Sequence, residues 1–414
     1  MNTPPDTGAP SSLPPASPEP VERPAYDGKA GEVAWLALRN AGLTLITLGI
    51  YRFWAKTRMR QYFWGHVSLH GERIEYTGRG MELFLGFLIV LGFGLVTLLP
   101  YQFLLNYVLT RNPPLYVVLV LVFYLALMVL YWAAVFFARR YRFSRSQWRG
   151  IRGAQTGSAW AFAFLGLGCT LLNVITIGIT VPVTSIWVNR YLMTRTTFGP
   201  YAFKFEGRAG RLYGPWMITW GVSFAAFLAV VGAAVAIAVA LRSSGGEADM
   251  AMMSRMQTIF PFLYGAWIVV MLIMYAWYRV VQFRRFAEWT RYETLGFASA
   301  LPAGRVVGMI ALYLLAVVVV LAILVGIAAA AGFSMLHLAI DPRATTIAIA
   351  AVMVVYLPVA SVARYLIVIH GLAGPLCRSF EIRGRLDYDA LKQSAQAVPK
   401  RGEGLAEMLD VGGI

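Results

Sequence analysis

The chain alternates between long apolar runs and short polar connections that are mostly basic. Six runs stand out: Met81–Leu104, Leu115–Ala138, Pro215–Leu241, Ile259–Gln282, Val306–Ala331 and Thr345–His370. Crossing a hydrocarbon core of about 30 Å takes about 20 helical residues, so each predicts a transmembrane helix. Two further apolar segments are interrupted. Val33–Trp54 carries Arg39, Asn40 and Gly42 near its middle, and Trp160–Val188 carries Gly166, Gly168 and Asn173. Two polar stretches have strand chemistry instead. Val67–Gly78 holds two alternating runs around Gly71-Glu72, and Tyr201–Gly207 alternates after Phe198-Gly199-Pro200, so each predicts a small β-hairpin, able to pair with the other.

A shift of 129 residues aligns the chain with itself. Leu43, Ile46, Thr47, Gly49, Ile50, Tyr62, Gly78 and Arg79 meet Leu172, Ile175, Thr176, Gly178, Ile179, Tyr191, Gly207 and Arg208. The chain therefore divides into a Pro-rich tail 1–30, a first membrane unit 31–158, a second unit 159–305, a closing helix pair 306–370 and a C-terminal tail 371–414. The tail at 1–30 reads as disordered, and it lacks the basic then apolar pattern of a signal peptide.

Charge decides how the interrupted segments sit. Of 36 Lys and Arg, 26 fall in segments 56–80, 139–158, 189–214, 283–305 and 371–414. Basic and non-basic connections alternate across the helix pairs, the pattern expected of cytoplasmic and outer loops. If Trp160–Val188 crossed once, basic loops 139–158 and 189–214 would lie on opposite faces. An arginine at mid-bilayer would also cost about 2.5–3.5 kcal/mol. Both interrupted segments are therefore read as re-entrant or interfacial helical hairpins, with both termini cytoplasmic. The competing reading lets each cross once, as an inverted repeat of the transporter type.

Composition agrees with this class: 58% of residues are hydrophobic and 14% charged. The net charge of +16 could indicate nucleic acid, but its confinement to alternate loops explains it without one. Cys169 and Cys377 cannot build a disulfide framework or a cysteine metal cluster.

Several stretches carry a family resemblance: Leu45-Ile-Thr-Leu-Gly49-Ile-Tyr51-Arg-Phe-Trp54-Ala-Lys-Thr-Arg58, the Phe-Glu-Gly207 hairpin, Arg145-Ser-Gln-Trp148-Arg-Gly-Ile-Arg152 with Gly157-Ser-Ala-Trp160, and Gly402-Glu-Gly-Leu-Ala-Glu-Met-Leu-Asp410-Val-Gly. Together they resemble the YjgN-like family of bacterial inner-membrane proteins, which carries domain of unknown function 898. The resemblance runs from about residue 31 to the end, implies location and architecture, and brings no catalytic residues. The second copy departs from it, with Ile-Thr-Val-Pro182-Val where an aromatic-rich exit such as Tyr51–Trp54 is expected.

Candidate chemistry is sparse. His66 and His70 lack the third and fourth ligands that zinc normally takes. His337 and His370 are isolated, and no nucleophile-elbow, zincin or P-loop motif occurs. Acidic residues are nearly absent from the six spans, which removes candidates for a carboxylate proton relay. Arg39, Asn40 and Asn173 are the polar groups left in the interrupted segments. They either line a cavity for an anionic or polar ligand or, on the plainer reading, snorkel and cap broken helices. Arg139, Arg140, Arg142, Arg145, Trp148, Arg149 and Arg152 form the densest basic and aromatic stretch, which predicts contact with anionic lipid headgroups.

The sequence thus predicts an all-α polytopic membrane protein. It has six transmembrane helices, two duplicated re-entrant or interfacial helical segments and small cytoplasmic β-hairpins. Membrane lipids are the expected partners; no cofactor, metal or nucleic acid is expected. The leading functional expectation is non-enzymatic transport or conduction of a small solute or lipid, and the alternative is a lipid-organising or partner-binding scaffold.

Overall fold

The computed structural model describes residues 20–243, 247–330, 342–386 and 391. Most of the predicted tails, His337 and the motif at 402–412 lie outside these residues. Six helical stretches are long and apolar enough to span a bilayer: Gly80–Arg111, Pro113–Arg145, Gly210–Ile237, Ile259–Glu288, Ala303–Ile327 and Ile349–Ser379. Each contains or overlaps one predicted span.

The helices come in pairs. The long pairs are α3 (Gly80–Arg111) with α4 (Pro113–Arg145), α7 (Gly210–Ser243) with α8 (Glu247–Glu288), and α9 (Ala303–Ala330) with α10 (Pro342–Ala363). The last continues through a π-helical stretch, Arg364–His370, into α11 (Gly371–Ser379). Two short pairs occupy the interrupted segments: α1 (Ala30–Ile46) with α2 (Arg52–Gly65), and α5 (Ala159–Ile175) with α6 (Val181–Met193). The second short pair turns at residues 176–180 and not at Gly166, where an added Cβ would lie 2.2 Å from the Trp132 ring. That glycine lets α4 approach α5.

The all-α expectation needs a correction, because every pair feeds one sheet. Its strands are β1 (Val21–Glu22), β2 (Ala25–Tyr26), β3 (Val67–Leu69), β4 (Glu72–Tyr76), β5 (Ser146–Trp148), β6 (Ile151–Gln155), β7 (Thr196–Phe198), β8 (Tyr201–Phe205), β9 (Thr290–Tyr292), β10 (Leu295–Ser299) and β11 (Phe380–Arg383). All pairings are antiparallel, and the spatial order runs from β2 through β11 in sequence and then to β1. Since only Arg23 and Pro24 separate β1 from β2, the segment 21–26 lies against β11 at one end and β3 at the other. It closes the sheet into a ring, which leaves no open edge.

The N-terminal residues 20–26 are therefore structural and not tail. Pro24 is tolerated because its missing N–H falls where the segment changes partners. One backbone bond recurs around the ring. Asp27, Thr77, Thr156, Glu206 and Ala300 donate their N–H to the carbonyls of His66, Arg145, Arg195, Trp289 and Ser379, at 2.8–3.1 Å. Seven residues beyond each donor's predecessor, Val33, Leu83, Phe162, Leu212 and Val306 are buried at the base of the following helix.

Directly paired residues share a face of the sheet, so the register sorts the side chains. Leu69, Ile74, Trp148, Ile151, Phe198, Phe203, Tyr292, Leu295, Phe297 and Ile382 lie on one face with Glu22 and Glu72, while Arg73, Glu75, Gln147, Lys204, Arg291, Glu381 and Arg383 lie on the other. The apolar side is the ring's interior: Tyr292, Leu295 and Ile382 form a buried cluster with Leu69, Phe198, Phe203 and Phe297 packed on it. Burial, then Glu293 and Tyr201, pushes the Tyr292 hydroxyl up to about 12. It is neutral at physiological pH.

Candidate functional site: a basic chamber inside the helix ring

Each second helix delivers its strand from the same helical face. Counted back from the first strand residue of each hairpin, positions eleven, eight, seven and four upstream fall on one side of a helix. On α2 they are Lys56, Met59, Arg60 and Phe63; on α6, Ser185, Val188, Asn189 and Leu192; on α8, Arg279, Gln282, Phe283 and Phe286. On α4, Arg139 holds the position of Arg60 and Asn189.

These faces border cavities. A chamber of about 520 Å³ is lined by all four named residues of α6 and of α8, together with Arg139, Trp132, Cys169, Asn173, Val181, Thr184, Trp216, Tyr275 and Tyr278. A smaller cavity is lined by the four α2 residues with Arg364, Tyr365 and Ile369. None of the lining residues of either cavity is acidic. The larger one presents two guanidinium groups, two asparagines, a glutamine and hydroxyls against aromatic walls.

Packing fixes these polar groups. The Arg139 guanidinium donates to Gln155 Oε1 at 3.2 Å and Thr196 Oγ1 at 3.5 Å, and lies over the Phe143 ring. Gln155 and Thr196 belong to the inner face of the sheet, so Arg139 ties the chamber to the ring's upper rim. Arg279 donates to Gln282 Oε1 at 2.6 Å. Asn173 Oδ1 accepts from Thr180 at 2.9 Å and Thr184 at 3.1 Å. Asn189 Nδ2 is buried with no hydrogen-bond partner, which leaves a donor for a ligand at a cost when empty.

The sequence-predicted polar trio is not one site. Asn173 lines the chamber; Arg39 is exposed on α1, and Asn40 is buried between α1 and α2, with Nδ2 3.5 Å from the Ala55 carbonyl. The equivalent contact in the second short pair is Cys169 Sγ to the Thr184 carbonyl. Both residues staple one helix of a hairpin to the other. Asn189 and Gln282 drew no attention in the sequence, and Arg279 reads there as a snorkelling arginine, because all three sit toward helix ends, where polar residues are expected anyway. Their helical spacing is the signal that could have found them.

The basic and aromatic stretch is divided between elements. Arg139, Arg140, Arg142 and Arg145 are in the last turns of α4, with Arg140 over Phe137 and Arg145 paired to Glu82 at 2.9 Å. Trp148 is buried inside the sheet ring, donating to the Leu69 carbonyl at 3.3 Å. Arg149 occupies a turn with φ of 51° and lies over Trp148, and Arg152 is on β6. His66 ends α2 and bonds the Tyr62 carbonyl, while His70, in the β3–β4 turn, pairs with Glu22 at 2.6 Å. Among the described residues no group of three or more His, Cys, Asp or Glu is placed to hold a metal ion.

The tips of the short pairs are apolar. Leu48 is 93% and Ile177 70% exposed, next to turn glycines at φ of 91° and 81°. At the second tip, the Ile177 and Gly178 carbonyls accept from Trp220 Nε1 at 2.7 Å and Trp216 Nε1 at 2.8 Å.

Six spanning helices on a polar sheet ring define a multi-pass membrane protein. The model of a family described as bacterial protein of unknown function (DUF898) matches residues 22–408. The chain belongs to that family. Over 65 residues it is 37% identical to the inner membrane protein YjgN of Salmonella typhimurium, a match that covers 16% of each chain. No solved structure matches. The protein is accordingly a multi-pass inner-membrane protein.

Proposed function

We propose that this protein is a non-enzymatic carrier or conduit for a phosphate-like anion, either a free solute or the headgroup of an anionic lipid. The sheet ring and both termini face the cytoplasm, and the two short helix pairs enter the membrane from that side without crossing. The observation that carries the reading is the chamber: Arg139 and Arg279 beside Asn173, Asn189 and Gln282, with no carboxylate in its lining. Guanidinium groups match phosphate and carboxylate oxygens in planar forks, and aromatic walls such as Trp132 and Trp216 suit an amphipathic guest.

The depth of the short pairs supports the membrane arrangement. Trp216 and Trp220 lie six and ten residues into α7, roughly 9 and 15 Å at 1.5 Å per residue. The tip they hold therefore reaches about half of a 30 Å core. Its backbone carbonyls are satisfied by protein, which is the condition for irregular backbone at that depth.

The test is binding by purified protein in neutral nanodiscs. Inorganic phosphate and phosphatidylglycerol are titrated separately, with Arg279→Gln and Arg139→Gln as variants. Binding of one probe, weakened at least tenfold by either variant, is expected, and the probe that binds identifies the source of the anion. Equal affinity of wild type and variants for both probes contradicts the proposal. A second reading, a lipid-organising scaffold, is favoured by Arg140 and Arg142 in the last turns of α4. It predicts phosphatidylglycerol binding with no flux.

A further inference from the structure

The chamber and the sheet ring share a wall: Arg139, which lines the chamber, donates to Gln155 and Thr196 of the ring's inner face. Below that rim the interior changes character. The last inward residue of each first strand, next to the hairpin turns, is Leu69, Trp148, Phe198, Tyr292 or Ile382. These five touch one another around the ring. Trp148 donates to the Leu69 carbonyl, Trp148 and Phe198 ring centroids are 6.3 Å apart, and so are those of Phe198 and Tyr292. Tyr292 donates to the Phe198 carbonyl at 2.5 Å and shares a buried cluster with Leu295 and Ile382, on which Leu69 packs.

Leu69, on β3, packs on the cluster that Tyr292, on β9, forms with Leu295 and Ile382, so the contacts run right round the closed sheet and narrow its lumen. A charged solute leaving along the ring axis would meet a largely apolar constriction, whose polar neighbours are the engaged Tyr292 hydroxyl, Glu72 opposite Leu69, and Glu22 beside Ile382, held by His70. Narrow hydrophobic constrictions stop ions by excluding water, and they open when widened or made polar.

We propose that the ring axis is the cytoplasmic route from the chamber, and that these five residues form its gate, closed in this conformation. The inference rests on the reading of the chamber as an anion site. Its alternatives are a chamber that exchanges with the membrane alone and a sheet that is purely a scaffold. The collar's position argues for the axial route: Arg139 joins the chamber to the ring's inner face, the apolar layer lies across that interior, and the ring has no sheet edge through which a solute could leave.

The experiment is phosphate efflux from proteoliposomes holding the full chain, comparing wild type with Leu69→Asn and with Ile382→Thr. The second is the milder change and keeps the test alive should the first fail to fold. Phosphate binding in nanodiscs is measured on the same preparations. At least tenfold faster efflux, abolished when Arg279→Gln is added, is the expected result. Unchanged efflux from folded variants that still bind phosphate overturns the gate while leaving the chamber as an anion site. Faster efflux that Arg279→Gln does not reduce marks a leak outside the chamber and also overturns it. Wild type that binds phosphatidylglycerol but not phosphate overturns the gate and leaves the chamber as a headgroup site, whereas binding of neither probe removes the chamber reading and the gate with it.

Discussion

The long and short helix pairs start alike and end differently. Val33 and Phe162 at the base of the short pairs are as fully buried as Leu83 and Leu212 at the base of the long ones. The closing contacts are shared too: Tyr62 and Tyr141 each donate to a glutamate, Glu32 or Glu82, in the first turn of the preceding helix. Above that base the long pairs run through uninterrupted apolar sequence, whereas the short pairs turn after 17 residues. A pair that turns inside a membrane must satisfy its own turn. Thr44 and Asn173 offer carbonyls to the Gly49 and Gly178 N–H at 2.7 and 2.6 Å, and Thr47 and Thr176 back-bond to Leu43 and Leu172. The difference teaches that the base sets the family of pairs, while polar residues and two glycines decide which pairs turn after 17 residues.

The largest expected effect breaks the tip of the second short pair. Replacing Trp216 and Trp220 by Phe leaves the Ile177 carbonyl without its indole donor, at about 1–3 kcal/mol, and removes one of the two donors to the Gly178 carbonyl, which keeps the Val181 N–H. Thermal unfolding in detergent should show a fall of several degrees. Trp267→Phe, in a long pair, removes only a bond to the Ser223 carbonyl, which a helix already satisfies. It should shift the midpoint far less, and equal shifts would erase the distinction between tip and shaft.

Gly178→Ala follows, at about 1–2 kcal/mol for a side chain in the left-handed region. Gly49→Ala should match it, while Gly168→Ala, in open space within α5, should be neutral or slightly stabilising. The same unfolding measurement ranks the three.

The smallest effect concerns the ring's closing seam. Hydrogen bonds from Arg23 and Arg383 hold the Glu381 carboxyl below its ordinary value. A depressed carboxylate contributes stability above its unfolded pKa and loses it as pH falls through the folded value. Amide exchange at Arg383 and Gly384 should therefore quicken in acid, beginning below the ordinary 4.5. Exchange in the β9–β10 hairpin should not follow.

Much of the membrane portion was legible because hydropathy, helix length and charge placement act locally. The short pairs were legible as hairpins from the charge rule and from the polar residues that interrupt them, although the second turn falls later than the glycines at 166 and 168 suggested. The sheet was only half visible. The hairpins at 67–76 and 196–205 alternate cleanly, but Ser146–Gln155 reads as a basic cluster, and its Arg149-Gly150 turn is obscured by the arginines around it. Ring closure is not written locally at all. It depends on Val21–Tyr26 meeting β11 from the far end of the chain, in a segment where prolines argue for disorder. The chamber was missed for a related reason: Arg139, Asn189, Arg279 and Gln282 are ordinary helix-end residues until three pairs are brought together.

Cysteine accessibility tests the half-entering short pairs most directly. With Cys169 and Cys377 replaced, single cysteines at Arg149, in the β5–β6 turn, and Tyr201, beyond the second short pair, are labelled with a membrane-impermeant reagent in oriented vesicles. Labelling of both from the same, cytoplasmic side is the predicted result. Labelling of the two from opposite sides would mean that α5–α6 crosses the membrane, and would contradict the account.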